Sequence, residues 1–417
     1  MQTYILKDKN VTIVVMRIVI IGGGFGGVYT ARHLNRLLKN HQEAEIILIN
    51  KTNYFLFTPL LHEVATGSLS PASIAEPLRE IFRKTKVKFY QGEATKIDEE
   101  SQNVYVDNCS LTYDYLVLAT GTETHLRHID HKEIFELKNL KDAINLRNQV
   151  IDVIENANHE KNLHTKDSLT NFVIVGAGAT GVELSAELSD FIYGTIIKKY
   201  YPDNCTANDI KIYLLHSDNT ILSYLNSKIQ KYAAKILKKK NIVVRTNTKV
   251  ESIYNKVITL DNGETIEAHT TIWTAGVIPN HLYTHEEKIK RILVNDFLQT
   301  EKYPNIFVVG DIAKQESPAP MLAQVATQEA KTVANNILAL IKNKKLKPFK
   351  FKSQGTLLSL GSWRATGEIF GINIHGRFTW WLWRTVYLFK FLSWRKRFRI
   401  MLEWTINLFF PRDITKA

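Results

Sequence analysis

Two glycine-rich hexapeptides, Gly22-Gly23-Gly24-Phe25-Gly26-Gly27 and Gly176-Ala177-Gly178-Ala179-Thr180-Gly181, constrain this chain more than anything else in it. Each follows a short apolar run of strand character, Arg17 to Ile21 and Asn171 to Val175. Each leads into a helix-like stretch, Val28 to Lys39 and Val182 to Tyr193. In a strand–turn–helix unit the first glycine makes the turn, the second lets the backbone approach a pyrophosphate, and the third lets helix pack on strand. The helix N-terminus then faces the phosphates with its partial positive charge. Two such units predict two dinucleotides, and the chemical reason to hold two is to pass a hydride between them.

A length of 417 residues accommodates two or three domains. Net charge is +13, which points to an anionic surface, nucleic acid or lipid. The distribution favours lipid. From Arg377 onward nine Lys/Arg stand against Glu403 and Asp413, and five of the seven tryptophans (Trp380, Trp381, Trp383, Trp394, Trp404) fall in the same stretch. Basic residues mixed with Trp, Phe and Leu are the composition of a helix lying in a bilayer interface. On a helical projection Phe398, Met401, Leu402, Thr405, Leu408 and Phe409 share one side; Arg395, Lys396, Arg399 and Glu403 share the other. A helix packed on its own domain or on a second copy in a homodimer is the alternative. No nucleic-acid partner is expected. The two cysteines, Cys109 and Cys205, have no cluster spacing, so neither an iron–sulfur cluster, nor another metal site, nor a redox-active disulfide is expected. No signal peptide and no uncharged apolar run of membrane-spanning length is visible. Residues 1–15 read as an extension, because Met16 directly opens the first strand.

The remaining pattern is open α/β, built from βαβ units. Strand signals come at Glu45 to Asn50, Val87 to Gln91, Tyr113 to Ala119, Ile210 to Leu215, Val243 to Thr246, Val257 to Leu260, Thr270 to Trp273 and Asn305 to Val309. Helical stretches cover Leu140 to Asn156 and Leu322 to Lys342, with a polar loop at Asn158 to Leu169. The expected organisation is a first dinucleotide-binding domain in two segments, 1–125 and 281–350, a second dinucleotide-binding domain at 126–280 and a membrane-association region at 351–417.

Several side chains stand where chemistry belongs. Asn50, with Lys51 beside it, ends the second strand of the first unit, where Asp or Glu usually accepts from a ribose hydroxyl. His216 is the equivalent residue of the second unit; a protonated histidine would tolerate a 2′-phosphate, which admits NADPH beside NADH. Glu183 reads either as a carboxylate favoured by the first turn of the phosphate-binding helix or as an acid–base group. Gln324 and Gln328, four apart, share a helix face, where two amides either meet a ligand's carbonyls, cap a loop or face water. His62 and Glu63 read as structural.

The chain resembles the type II (non-proton-pumping, single-subunit) NADH:quinone oxidoreductases, within the two-dinucleotide-binding-domain flavoproteins, from about Met16 to Arg412. The residues carrying the likeness are Gly22 to Gly27, Phe57 to Gly67, Ala119-Thr120-Gly121, Gly176 to Glu183, Trp273 to Val277, Val309-Gly310-Asp311 and Ala323-Gln324-Val325-Ala326-Thr327-Gln328. That likeness implies two Rossmann-like domains with an amphipathic, membrane-anchoring helical C-terminus. It implies FAD contacts at Gly22, Gly24, Phe25, Gly26, Gly27, Asn50, Lys51, Thr58, Ala94, Ala119, Thr120, Gly121, Asp311, Ala323 and Gln324. The implied NADH contacts are Gly176, Gly178, Ala179, Thr180, Gly181, His216, Ala275 and Gly276. The resemblance further implies a membrane quinone met by Gln324 and Gln328, Glu183 as proton relay, and a peripheral position on the cytoplasmic face of a bacterial inner membrane or its organellar equivalent. Gln354 stands where some relatives carry Lys. A sulfide:quinone oxidoreductase and a signalling flavoprotein of the apoptosis-inducing-factor type are the rival readings.

Overall fold

The structure, a computed structural model, describes residues 16–126, 129–201, 209–280, 282 and 290–416. Cys205 and the extension 1–15 lie outside the described residues. Two compact units emerge, the first from 16–55, 76–123 and 277–353, the second from 56–75, 124–276 and 354–416.

The first unit is organised by a five-stranded parallel sheet in the order Ile306–Val308, Tyr115–Leu118, Met16–Ile21, Ala44–Asn50, Val87–Gln91. Its central strands are near-continuous Ile, Leu and Val, as expected where both faces are covered. The strand Met16–Ile21 pairs in register with Ala44–Asn50 on one side and Tyr115–Leu118 on the other. Chain order therefore reverses beside the first fingerprint, the place where open α/β sheets leave a ligand crevice. The helix Phe25–Leu37 packs against the long helix Ala323–Ile341. A small antiparallel sheet, Ala94–Asp98, Asn103–Val106 and Cys109–Thr112, completes this unit; Cys109 on it is a free, exposed thiol.

The second unit repeats the scheme with a four-stranded parallel sheet, Ile242–Arg245, Lys211–Leu215, Asn171–Val175, Thr270–Trp273. Helix Leu140–His159 opens with a reciprocal capping box between Asn139 and Asp142. The polar stretch read as a loop at Asn158 to Leu169 instead contains the helix Leu163–Thr170. Asn162 nucleates it by accepting from the His164 and Thr165 N–H groups, a cap that periodicity alone does not register. The fingerprint helix Ala179–Ser189 continues as a wider π-helix, Asp190–Tyr200.

Residues 354–416 of this unit form an antiparallel sheet, Thr356–Ser359, Ala365–Ile369 and Ile372–Gly376, followed by the helices Arg377–Lys390 and Trp394–Phe409. Three of the five tryptophans read as interfacial are core residues: Trp380, Trp383 and Trp404 are buried, and Arg384 stacks between Trp380 and Trp404 at 3.7 and 4.8 Å from their ring centres. Only Trp381 and Trp394 of the five are exposed. The last helix is also turned in an unexpected sense. Glu403 accepts from the Ser70 and Ser73 hydroxyls, and Lys396 donates to the Ala72 carbonyl, so much of its polar side faces its own unit. Phe398, Met401, Leu402, Ile406 and Phe409 face outward. Among the described residues no helix is long and apolar enough to cross a membrane.

Candidate active site

The first fingerprint is built by exclusion. A Cβ on Gly27 would lie 1.8 Å from the Gly22 carbonyl oxygen, and one on Gly22 would lie 2.2 Å from the Ala119 carbonyl oxygen. A Cβ on Gly26 would meet Val309 at 2.8 Å. Gly22 to Gly27, Ala119 and the Val309–Asp311 turn are thus held together by contacts only glycine permits. Thr120 and Gly121 join this rim: the Thr120 hydroxyl donates to the Asn280 carbonyl at 2.6 Å, and the Asn280 N–H to that of Gly121 at 2.9 Å. Gly310 has φ +80°, and its N–H donates to Glu329 Oε2 at 2.6 Å. Burial pushes the Glu329 carboxyl up to about 7. Glu329, buried on the helix carrying Ala323 and Gln324, therefore pins the turn that presents Asp311; its charge gave no sign of this in the sequence.

The second cradle repeats the geometry. A Cβ on Gly181 would lie 1.9 Å from the Gly176 carbonyl oxygen, and one on Gly176 would lie 2.9 Å from the Ala275 nitrogen. The Thr274 hydroxyl donates to the Val175 and Gly176 carbonyls at 2.9 Å, securing Ala275 and Gly276 beside the turn. Both cradles fit a dinucleotide pyrophosphate. Neither the helix starting at Phe25 nor that starting at Ala179 has a side-chain cap, so no side chain of the helix start stands where a pyrophosphate would meet the positive end of the dipole. A Cβ on Gly24 or Gly178 would meet nothing within 4 Å, which leaves the approach open.

The two departures from the acidic pattern turn out to be equivalent. Asn50 Oδ1 accepts from the Gly23 N–H at 2.8 Å, while its amide nitrogen donates to Thr52. His216 Nδ1 accepts from the Ala177 N–H at 3.3 Å. Gly23 and Ala177 occupy the same place in their hexapeptides, so each strand-ending residue fastens its own phosphate loop. That bond needs an unprotonated Nδ1 on His216, and Nε2 lies 3.4 Å from Asp218 Oδ2. Lys51 pairs with Glu93 at 2.5 Å, next to the buried Ala94. Thr58, exposed, falls in the second unit, apart from the other flavin-side residues in the division of the chain. Gln328 holds a loop: its amide donates to the Lys352 carbonyl at 2.9 Å and accepts from the Lys352 N–H at 3.1 Å.

Glu183 lies beyond the first turn of the helix Ala179–Ser189, where the macrodipole has faded, so that explanation fails. Its buried carboxylate accepts from the Ser359 N–H at 3.0 Å. Burial pushes its pKa up to about 8 against that hydrogen bond, with the Glu63 and Glu187 carboxylates adding to the rise. One turn on, Glu187 is buried and receives Arg412 Nη2 at 2.7 Å; burial alone would raise its pKa, but the Arg412 guanidinium holds it below the usual range. Arg412 Nη1 also donates to the Thr66 carbonyl at 3.2 Å. Glu63, read as structural, is buried and accepts from the Trp404 indole N–H at 2.6 Å; burial, then Glu187, pushes it up to about 7. The only local sign of this group was a pair of glutamates four apart on an apolar helix.

Residues 16–330 match the family described as pyridine nucleotide-disulphide oxidoreductase, and residues 353–413 match the NDH2 C-terminal domain. A probable NADH dehydrogenase of Dictyostelium discoideum is 32% identical, over 96% of this chain and 91% of that protein. A type II NADH:quinone oxidoreductase of Staphylococcus aureus is 30% identical over 87% of this chain and 91% of its own length. The fold matches that of NDH2 from Plasmodium falciparum in complex with NADH, with a TM-score of 0.89 and 23% identity over 96% of this chain and 100% of that one. It also matches, less closely, the sulfide:quinone oxidoreductase of Aquifex aeolicus, with a TM-score of 0.74 and 21% identity over 95% and 96%. Both structures speak for the fold alone. With its catalytic core and its C-terminal domain both matched, the chain belongs to the type II NADH:quinone oxidoreductase family.

Proposed function

We propose that this chain is an FAD-dependent NADH:quinone oxidoreductase working at a membrane surface without pumping protons. The observation that carries the reading is the pair of uncapped, glycine-cleared helix N-termini, one in each unit, in a chain with type II relatives. Bound FAD supplies the redox chemistry, taking a hydride equivalent from NADH and passing two electrons to quinone. The residues position and tune. The fingerprint N–H groups take the pyrophosphates, the Glu329-pinned turn presents Asp311 to the flavin nucleotide, and Asn50 and His216 fix the phosphate loops. Asp218, beside His216, puts a negative charge where a 2′-phosphate would sit and so favours NADH. Gln324 is the amide offered to the quinone carbonyl, with Gln328 bracing its helix. Glu183, neutral below about pH 8, donates a proton to the reduced quinone.

The test is stopped-flow reduction of the holoenzyme by NADH, followed by reoxidation with a short-chain quinone. Fast reoxidation is expected; rapid reduction without quinone-dependent reoxidation would overturn the reading and favour a signalling flavoprotein.

The outward apolar face of the helix Trp394–Phe409, with Arg395 beside it, supports docking to an anionic bilayer on the side where NADH is present. Truncation is a poor test, because this region supplies buried core. The double variant Phe398→Ser/Phe409→Ser removes two exposed rings, each worth about 1.5–3 kcal/mol when buried. Cosedimentation with anionic vesicles should fall at least about tenfold. Unchanged vesicle binding with loss of self-association would assign the face to a homodimer.

A further inference from the structure

Three carboxylates and two guanidiniums are gathered under the C-terminal helices: Glu63, Glu183 and Glu187 with Arg384 and Arg412. The three carboxylates are 1%, 7% and 4% exposed. Their donors differ in kind. Glu187 has a guanidinium from Arg412 at 2.7 Å. Glu63 and Glu183 have neutral donors, the Trp404 indole at 2.6 Å and the Ser359 backbone at 3.0 Å. A buried carboxylate without a hydrogen-bonded cation pays a desolvation cost that protonation removes. Three polar atoms in the same group lack a partner: the Ser359 hydroxyl, whose own N–H binds Glu183, Nε of Arg384, and Nε2 of His62, 3% exposed and facing Glu187 and Arg412 electrostatically. Buried unsatisfied atoms of this kind mark a place for an exchangeable hydrogen-bonding partner. The short helix Leu61–Ala65 carrying His62 and Glu63 packs against the helix of Glu183 and Glu187.

The proposed reaction, NADH plus quinone plus one proton giving NAD+ plus quinol, consumes a proton beyond the hydride. We infer that Glu63 holds that proton in reserve and acts through Glu183. The inference rests on the quinone-reductase reading. Glu183 gives its carboxyl proton to the reduced quinone oxygen, breaking its own O–H bond as the quinol O–H forms. The Glu183 carboxylate then takes a proton from the Glu63 carboxyl, and Glu63 recovers one from water. Charge and protons balance, and no electrons move between the carboxyls. Burial pushes both carboxyls well above the usual carboxylate range, Glu63 to about 7 and Glu183 to about 8, so each can carry a proton near neutral pH. The charged groups facing Glu63 are Glu187, Arg384 and Arg412; the carboxylate raises it and the two guanidiniums lower it, while His62 is held neutral by burial at about 4. Trp404 ties Glu63 to the outer helix, which makes that helix part of the proton supply.

The test compares Glu63→Gln, Glu63→Asp and Trp404→Phe holoenzymes with the unaltered chain, measuring short-chain quinone and ferricyanide reduction from pH 5.5 to 9. Ferricyanide takes electrons without a proton. Glu63→Gln should lower the quinone-to-ferricyanide rate ratio at least about tenfold. Glu63→Asp should restore most of it. Trp404→Phe deletes the N–H that favours the carboxylate and should shift the limb of the quinone profile near pH 7 to higher pH. Unchanged ratios and profile in Glu63→Gln, or equal losses with both acceptors and no rescue by aspartate, would overturn the inference. An unfolded Glu63→Gln leaves the direction of the Trp404→Phe shift as the deciding result. Failure of the unaltered chain to reduce quinone would instead sink the functional reading.

Discussion

Arg412→Met should destabilise the second unit by about 3–5 kcal/mol at neutral pH, the cost of removing one partner of a buried ion pair. Arg412 reaches Glu187 at 2.7 Å and the Thr66 carbonyl at 3.2 Å, and all of these groups are buried. Methionine fills the volume but leaves a carboxylate and a carbonyl without their donor. Glu187 is held low while paired, so its contribution is present above its unfolded pKa of about 4.5 and is lost as pH falls through the lower folded value. Without the guanidinium its pKa rises instead. The variant's deficit should therefore shrink toward pH 5. Denaturant titration at pH 7 and pH 5 measures this directly. Glu187→Met/Arg412→Met should recover most of the loss, because two apolar groups of similar volume replace the pair together. A deficit below about 1 kcal/mol at pH 7, or no recovery in the double variant, would show that the pair is not what fastens the chain end. Arg147 adds to that fastening by donating to the Asp413 and Thr415 carbonyls at 2.8 and 3.0 Å.

This C-terminal strap marks the boundary of what the sequence could express. The glycine cradles were legible because their constraint is local: a Cβ at Gly27 or Gly181 collides with a carbonyl five residues earlier in the chain, so the spacing itself carries the geometry. The parallel sheets were legible for a related reason, since strands covered on both faces leave continuous apolar runs. The buried charges were not. Glu63 meets Trp404 across 341 residues and Arg412 meets Glu187 across 225, and no periodicity records such a pairing. Composition then misled in a specific way. Tryptophan beside arginine has the same signature in a bilayer interface and in a cation–π stack, and Arg384 between Trp380 and Trp404 is the stack. Asn50 and His216 carry a contact that strand position alone does not record: each accepts from a backbone N–H of its own phosphate loop.

Glu183→Gln should lower the quinone-to-ferricyanide rate ratio by about 10²-fold, the low end for loss of a general acid. Glutamine keeps the acceptor for the Ser359 N–H and nearly the same shape, so the change is confined to the titrating proton. The pH dependence gives the sharper sign. Burial raises Glu183 to about 8, so the carboxyl can donate below that pH and cannot above it. Quinone turnover of the unaltered chain should fall as pH passes through about 8, while the glutamine variant, slow throughout, should lack that limb. Stability runs by the same linkage. A carboxyl whose folded pKa exceeds its unfolded value contributes stability that is complete below the unfolded pKa of 4.5 and is lost as pH rises through about 8. At pH 9 the unaltered chain carries a buried charge that Glu183→Gln does not. The variant should then be the more stable by a margin on the order of a few kcal/mol, and the margin should vanish near pH 5. Thermal unfolding of the holoenzyme at the two pH values measures it. Equal stabilities at pH 9, together with a preserved alkaline limb in the variant, would show that Glu183 titrates as an ordinary exposed carboxylate and that the proton for quinone comes from another group.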